Sequence, residues 1–210
     1  MGLARFAAVS SGAPIEQSRS ELLRALNDHD AATRRHAARD LRRHPDSTHA
    51  IGLRLRCEEE AAVREALFNS LVAIGNAAAV EELIPLLGEE DDANLRNGAI
   101  DALKQLPLAI APHMQRLLSD PDPDRRIFAV NICESLRLRE VESWLLVVIE
   151  HDQHVNVCAT AVDLLGELGG EAAVVPLRRV ARRFSGDPFM KFAVDTALRR
   201  IGATLDRSQS

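Results

Sequence analysis

The feature that most constrains the fold of this 210-residue chain is a short motif that recurs six times. Each copy has an acidic or Asn/Pro-containing turn, a residue that is usually apolar, Arg, and then small or apolar residues at fixed spacing. The Arg position falls at residues 34, 64, 96, 126, 158 and 191, at intervals of 30 to 33 residues. Cys158 and Lys191 take the place of Arg in the last two copies. A fixed period of this length is typical of repeat architectures.

Each copy has the spacing of an amphipathic helix. In Glu60–Leu71 the apolar positions are Val63, Leu67, Phe68 and Leu71, which lie on one helical face. Second apolar segments follow, and turn formers separate them from the next copy. First helices are therefore predicted near 30–43, 60–74, 92–105, 122–136, 154–168 and 187–201. Three of them are expected to end at a left-handed glycine, namely Gly75, Gly169 and Gly202.

The composition also favours helices. Aromatic residues make up only 3% of the chain, which is rich in the good helix formers Ala, Leu, Arg and Glu. Residues 14–202 are predicted to form one repeat array, with 14–27 as the second helix of an incomplete first repeat. Residues 1–13 are expected to be a flexible N-terminus and residues 203–210 a frayed C-terminal tail.

Two segments carry a family resemblance. Residues 120–133 (DPDPDRRIFAVNIC) and 161–181 (AVDLLGELGGEAAVVPLRRVA) resemble the short HEAT-like repeats of bacterial proteins, a type also found in phycobilisome lyases. The resemblance covers about residues 20–202 and implies an all-α, right-handed α-solenoid of about six helical hairpins. It further implies that the first helices line a convex side and the second helices a concave groove, where partners usually bind. Because such repeats serve many partners, the resemblance is more specific for fold than for function.

Aligning the second apolar segments separates the expected core from the expected surface. The aligned apolar positions of three segments are predicted to be buried. They are Val80, Leu83, Leu86 and Leu87; Val141, Trp144, Val147 and Val148; and Val174, Leu177 and Val180. Pro85 and Leu146 are among the positions predicted to face outward. The candidate partner-binding residues of the groove are Glu81, Glu82, His113, Arg116, Glu142, Ser143, Arg179, Arg182 and Arg183.

The charge of this predicted groove changes sign along the chain. It is acidic in the second and third repeats and basic near the end, with a second basic cluster at Arg34, Arg35, Arg39, Arg42 and Arg43. Segregated charge suits a protein surface better than a uniform polyanion.

The repeated arginines form a ladder, Arg34, Arg64, Arg96 and Arg126. A row of guanidinium groups could bind a ligand. Each one, however, follows an acidic turn at the start of a first helix, and guanidinium groups satisfy turn carboxylates and carbonyls well. The ladder is therefore predicted to be a structural brace between repeats.

No metal, cofactor or catalytic residue is predicted. Cys57, Cys133 and Cys158 are too far apart in sequence for a zinc knuckle, and Cys133 and Cys158 fall at or beside the buried stripe of first helices. The histidines lack metal-ligand spacing, and Asp120–Asp124 lacks the Gly and the distal Glu of a calcium loop. A net charge of −5 and the lack of a long apolar run favour a cytoplasmic protein that binds neither membrane nor, as a rule, nucleic acid.

These observations predict a non-catalytic adaptor or scaffold that binds a partner protein along the groove. One alternative, implied by the resemblance, is a subunit of a tetrapyrrole (bilin) lyase or of another enzyme complex. Another is weak nucleic-acid binding through the Arg clusters. The protein is expected to be a monomer or a weak homodimer, since apolar end repeats could stack between chains.

Overall fold

The computed structural model describes the backbone of residues 17–208 and the side chains of residues 17–202. Within that part of the chain all regular structure is helical and no strand occurs. The α-helices are α1 (Arg19–Ala25), α2 (Ala31–Leu41), α3 (Thr48–Cys57), α4 (Ala61–Ile74), α5 (Ala77–Leu83), α6 (Ala93–Lys104), α7 (Pro107–Ile110), α8 (Met114–Leu117), α9 (Pro123–Cys133), α10 (Glu140–His151), α11 (Val155–Leu168), α12 (Val174–Arg183) and α13 (Pro188–Ser208). Short 3₁₀ segments lie at Pro45–Ser47, Ile84–Gly88, Ala111–His113 and Glu171–Ala173.

The helices form two layers. In the first-helix layer α2, α4, α6, α9, α11 and α13 pack side by side in chain order. In the second-helix layer α3 packs on α5, α5 on α7, and α10 on α12. Each second helix also packs against the first helix of the following hairpin, as α3 does against α4 and α10 against α11. The fold is therefore the all-α solenoid that the repeat predicted.

The stacking is stabilised by one continuous apolar core. Buried side chains run from Leu22 to Ile201 in a single cluster that crosses every hairpin. A lone hairpin would leave the apolar surface that faces its neighbours in water, so each repeat depends on those neighbours for burial. None of the described helices is long and apolar enough to cross a membrane.

Acidic N-caps start several first helices. The carboxylates of Asp30, Asp92 and Asp122 accept hydrogen bonds from backbone N–H groups in the first turns of α2, α6 and α9. Pro123 follows Asp122 at the first helical position, where its missing N–H costs nothing. These caps explain why α2, α6 and α9 each begin one residue after the expected start.

The helix ends agree less well with the sequence analysis. Gly75 has φ 62°, the left-handed conformation predicted for it. The same prediction is wrong for Gly169, which is extended at φ −74° and ψ 147°. A Cβ there would lie 2.5 Å from the carbonyl oxygen of Leu165, so this position needs glycine for a close backbone approach instead.

The predicted end of the last helix is also wrong. Gly202 lies inside α13, which continues to Ser208 through the segment expected to be a frayed tail. A helix-interior glycine costs only about 1 kcal/mol relative to alanine, which is too little to end a helix that its neighbours continue. The N-terminal segment 1–13 and the first residues of the predicted 14–27 helix lie outside the described residues.

Candidate functional site

The arginine ladder joins consecutive turns of the array. Arg34 donates from Nη1 to the carbonyls of Asp28 and His29, at 3.0 and 2.9 Å, in the turn before α2. Its Nε and Nη2 donate to the two carboxylate oxygens of Glu58, at 2.8 and 2.9 Å, in the turn before α4. One guanidinium therefore connects the turn before its own helix to the turn before the next first helix.

The other ladder arginines repeat this geometry with variations. Arg126 donates to the carbonyls of Asp120 and Pro121 and, at 2.6 and 3.0 Å, to the carboxylate of Asp152. Arg64 donates to the carbonyl of Glu58 and forms an ion pair with Asp92 at 2.7 Å. Arg96 donates to the carbonyl of Glu89 at 2.6 Å, and its guanidinium lies 5.3 Å from the centre of the Phe128 ring. Each ladder guanidinium is therefore bound within the protein, and the four do not form a row of free cations for a ligand.

The carboxylate of Glu58, which binds the first ladder arginine, is held by several further contacts. Its side chain is 1% exposed and also accepts from Arg54, at 2.8 and 2.9 Å, and from the backbone N–H of Glu60. Burial by itself would raise the pKa of Glu58. Hydrogen bonds from Arg34, from the N–H of Glu60 and from Arg54 outweigh burial and bring the pKa to about 2.

Arg183, predicted to face the groove, fills a gap in the ladder instead. Cys158 stands at the ladder position of α11 and can reach only the carbonyl of Asp152, through its thiol at 3.3 Å. Arg183 of α12 donates to the carbonyls of Ile149, Glu150 and Asp152 at 2.6 to 2.9 Å, and to the Cys158 sulfur at 3.2 Å. Arg183, from the second-helix layer, thus donates to the turn carbonyls that would otherwise accept from a ladder arginine.

Three more of the predicted groove residues make contacts between hairpins. Glu82 of α5 accepts from His49 and Arg56 of α3, at 2.7 and 2.8 Å. Glu142 accepts from the backbone N–H of Gly170 at 2.7 Å. Arg179 lies 3.5 Å from Glu150. A charge reversal at Glu82, Glu142 or Arg179 would therefore disturb the stacking of hairpins as well as the surface charge.

The remaining candidates are available to a partner. No hydrogen-bond or ion-pair partner among the described residues contacts the side chains of Glu81, His113, Arg116 and Arg182. Ser143 is exposed and donates to the carbonyl of Glu140 in its own helix. The described part of the chain contains no group of three His, Cys, Asp or Glu side chains placed to hold a metal ion.

A cavity that the sequence analysis missed opens between α8 and α10. It has a volume of about 570 Å³ and interrupts the second-helix layer between the third and fourth hairpins. Its lining residues are Gln115, Leu118, Ser119, Asp120, Arg126, Trp144, Val147, Val148, His151, Asp152 and Gln153. Trp144 is half-buried and Val147 is 57% exposed, so the prediction that both belong to the core is wrong for Val147 and only partly right for Trp144.

The error in α10 has a clear structural cause. Its core stripe is Val141, Leu145, Val148 and Ile149, at α-helical spacing, and Leu146, predicted to face outward, packs against the core. The predicted register of α10 follows the spacing of apolar residues in α5 and the segment after it. There Ile84–Gly88 is a 3₁₀ segment with three residues per turn, so its spacing cannot be transferred to an α-helix.

Comparison with known proteins assigns the chain to a family. The family model described as HEAT repeats matches residues 19–104 and 110–204. A search of curated proteins found no match to this chain. Among solved structures, an archaeal HEAT-like repeats protein from Thermococcus onnurineus NA1 is 15% identical over 88% of this chain and 87% of its own, with a TM-score of 0.45. An engineered protein is 17% identical over 88% and 96%, with a TM-score of 0.41.

A complex of phycocyanin lyase from Nostoc sp. PCC7120 is 17% identical over 95% of this chain and 100% of its own, with a TM-score of 0.36. The family assignment depends on the sequence match, which spans both halves of the array. The chain belongs to the HEAT repeat family.

Proposed function

We propose that this chain is a non-catalytic adaptor that binds a partner protein along the second-helix face, with the cavity between α8 and α10 at the centre of the contact. The observation that carries this proposal is the apolar surface of that cavity, formed by Leu118, Trp144, Val147 and Val148. Leu53, Leu108 and Val175 are also exposed in the second-helix layer, but none of them lines this cavity. Burial by a partner stabilises a complex by about 25 cal/mol per Å² of apolar area, and Trp is enriched at the residues that dominate interfaces.

The surroundings of the cavity have the composition of an interface rim. Gln115, Ser119, His151 and Gln153 line it together with the apolar residues. Their amide, hydroxyl and imidazole groups can exchange hydrogen bonds with a partner backbone. Arg116 follows Gln115 on α8, and its side chain has no partner among the described residues. An apolar centre with a polar rim is the usual anatomy of a protein–protein contact.

The buried thiols support a binding role over nucleophilic catalysis. Burial raises the pKa of Cys133 to about 12. Burial also raises the pKa of Cys158, although the nearby Arg183 guanidinium opposes the shift. Both thiols are therefore protonated at neutral pH, whereas the thiolate is the reactive form.

A matched pair of valine substitutions tests the proposal. Val147 and Val175 are 57% and 53% exposed on second helices, but only Val147 lines the cavity. We expect affinity capture from native lysate to recover the same protein with the wild type and with Val175→Glu. Val147→Glu should lose that protein, because a carboxylate would have to be desolvated against Trp144.

The captured protein would then be purified and its affinity measured by calorimetry. Trp144→Ala should weaken binding by about tenfold or more, which corresponds to about 1.4 kcal/mol. Retention of full affinity by both Val147→Glu and Trp144→Ala, with folding confirmed by circular dichroism, would show that the cavity is not the binding site.

A further inference from the structure

A stripe of three arginines lies on the first-helix layer, away from the second-helix face. Arg35, Arg39 and Arg42 are four and three residues apart, which places them on one side of α2 over a length of about 10 Å. All three are exposed, and none of their side chains makes a hydrogen bond or ion pair within the described residues. In the sequence these arginines form one basic cluster with Arg34 and Arg43. In the structure Arg34 is separate from the stripe, because its guanidinium is bound in the ladder.

The stripe forms one wall of a cavity between α2 and α4. The cavity has a volume of about 160 Å³, which is room for roughly five water molecules. Ala62 and Ala66 line it with small side chains, and Glu65 and Asn69 complete the wall on α4. Three cations therefore border a polar recess that the protein itself leaves unfilled.

The fold does not require these arginines. The equivalent positions in the other five copies are Glu65, Asn69 and Val72; Asn97, Asp101 and Lys104; Ile127, Asn131 and Glu134; Ala159, Asp163 and Gly166; and Phe192, Thr196 and Arg199. Stacking thus accepts many residue types there. Favourable interaction with the helix dipole accounts for a cation in the last turn of α2 but not for Arg35 near its middle. Like charges four residues apart are mutually destabilising, so the stripe costs stability in the free protein.

We propose that this stripe binds an acidic segment of a partner protein, at a site separate from the second-helix face. A helix with Glu at i, i+4 and i+7 presents carboxylates at the same spacing as the three guanidinium groups. Carboxylates and guanidinium groups form paired, charge-assisted hydrogen bonds.

The charges around the stripe favour a short acidic peptide over nucleic acid. Glu65 borders the same cavity, and Asp101, Asp163 and Glu167 are exposed farther along the first-helix layer. A phosphate backbone that followed this layer would meet those carboxylates. A peptide of about two helical turns is short enough to meet only Glu65 among them.

Fluorescence anisotropy with the full chain tests the proposal. The probe is a labelled alanine-rich peptide with Glu at i, i+4 and i+7, and its control carries Gln at the same places. The protein variants are a triple substitution, Arg35→Gln with Arg39→Gln and Arg42→Gln, and a matched triple, Arg137→Gln with Arg139→Gln and Arg178→Gln. The matched arginines are also exposed and without described partners, so both variants lose the same charge.

We expect saturable binding of the Glu peptide to the wild type and to the matched variant, and no binding of the Gln peptide. The α2 variant should bind at least about tenfold more weakly, since three ion pairs are lost. Glu65→Gln should tighten binding by about twofold or more, because it removes a repulsive carboxylate from the cavity wall. The proposal is overturned by a lack of saturable binding, by equal weakening in the two triple variants, or by tighter Arg-dependent binding of a single-stranded oligonucleotide.

Discussion

At the scale of single residues, one backbone carbonyl recurs in each of several turns and accepts hydrogen bonds from different donors. The carbonyl six residues before the ladder position accepts from the ladder arginine itself at Asp28, Glu58 and Asp120. At Asp152 the same carbonyl accepts from the Cys158 thiol and from Arg183. An arginine from another helix has thus replaced the one that the repeat lacks.

This exchange predicts energetic coupling between positions 158 and 183. Arg183→Ala should destabilise the protein by about 2 kcal/mol, because three carbonyls lose a charged donor. Cys158→Arg should destabilise the wild type, because it crowds two guanidinium groups, but should restore stability in the Arg183→Ala background. Urea unfolding of the four proteins measures the coupling, and Arg182→Ala, exposed and unpaired, is the control that should change stability by less than about 0.5 kcal/mol. If the effects of Cys158→Arg and Arg183→Ala on stability were additive, Arg183 would not be the substitute for a ladder arginine at position 158.

A second residue-scale prediction concerns Glu58. Because its pKa is lowered to about 2 from a usual value of 4.5, its ion pairs stabilise the folded protein fully above pH 4.5. That contribution is lost as the pH falls from 4.5 through 2. Glu58→Gln should cost about 3 kcal/mol at pH 7, since it leaves Arg34 without its buried partner. The difference between wild type and variant should shrink between pH 4.5 and 2 in urea titrations, and a difference independent of pH would contradict this account.

At the scale of helices, two glycines test how closely neighbouring elements pack. A Cβ on Gly166 of α11 would lie 3.0 Å from the Cα of Ala197 in α13, whereas one on Gly202 would meet nothing within 4 Å. Both residues are helical, so alanine gains about 1 kcal/mol of helix propensity at either position. We expect Gly202→Ala to be stabilising by up to about 1 kcal/mol. Gly166→Ala should be destabilising by about 1 kcal/mol net, because the two helices must separate. Thermal unfolding by circular dichroism distinguishes the two cases, and equal shifts would contradict the close approach.

The helices also show what the sequence could predict. First helices such as α2 and α6 were predictable because an Asp N-cap and a regular apolar stripe are local signals. The cavity was not predictable, because it depends on how far α8 lies from α10 rather than on either segment alone. The role of Arg183 was hidden for a similar reason, since its acceptors lie 25 to 34 residues away in sequence.

At the scale of the whole molecule, the array has a weak point in its middle. The second element of the third hairpin is divided into α7, the 3₁₀ segment Ala111–His113 and α8. Pro112 explains the break, because proline has no N–H to donate and its ring clashes with the carbonyl four residues earlier. The cavity beside α8 removes support on the other side. In a solenoid, stability is a sum of local terms, so a weak hairpin opens without unfolding its neighbours.

Hydrogen exchange measured by mass spectrometry tests this weakness. Below the urea midpoint, amides of residues 107–118 should exchange before those of α5 and α10, because their helical turns are short and poorly covered. Pro112→Ala should join α7 to α8 and slow the exchange of that segment. Pro85→Ala, a matched change in the 3₁₀ segment of the preceding hairpin, should leave residues 107–118 unaffected. If residues 107–118 exchanged as slowly as α10 in the wild type, the array would unfold as one cooperative unit and the cavity would be a rigid feature of the second-helix face.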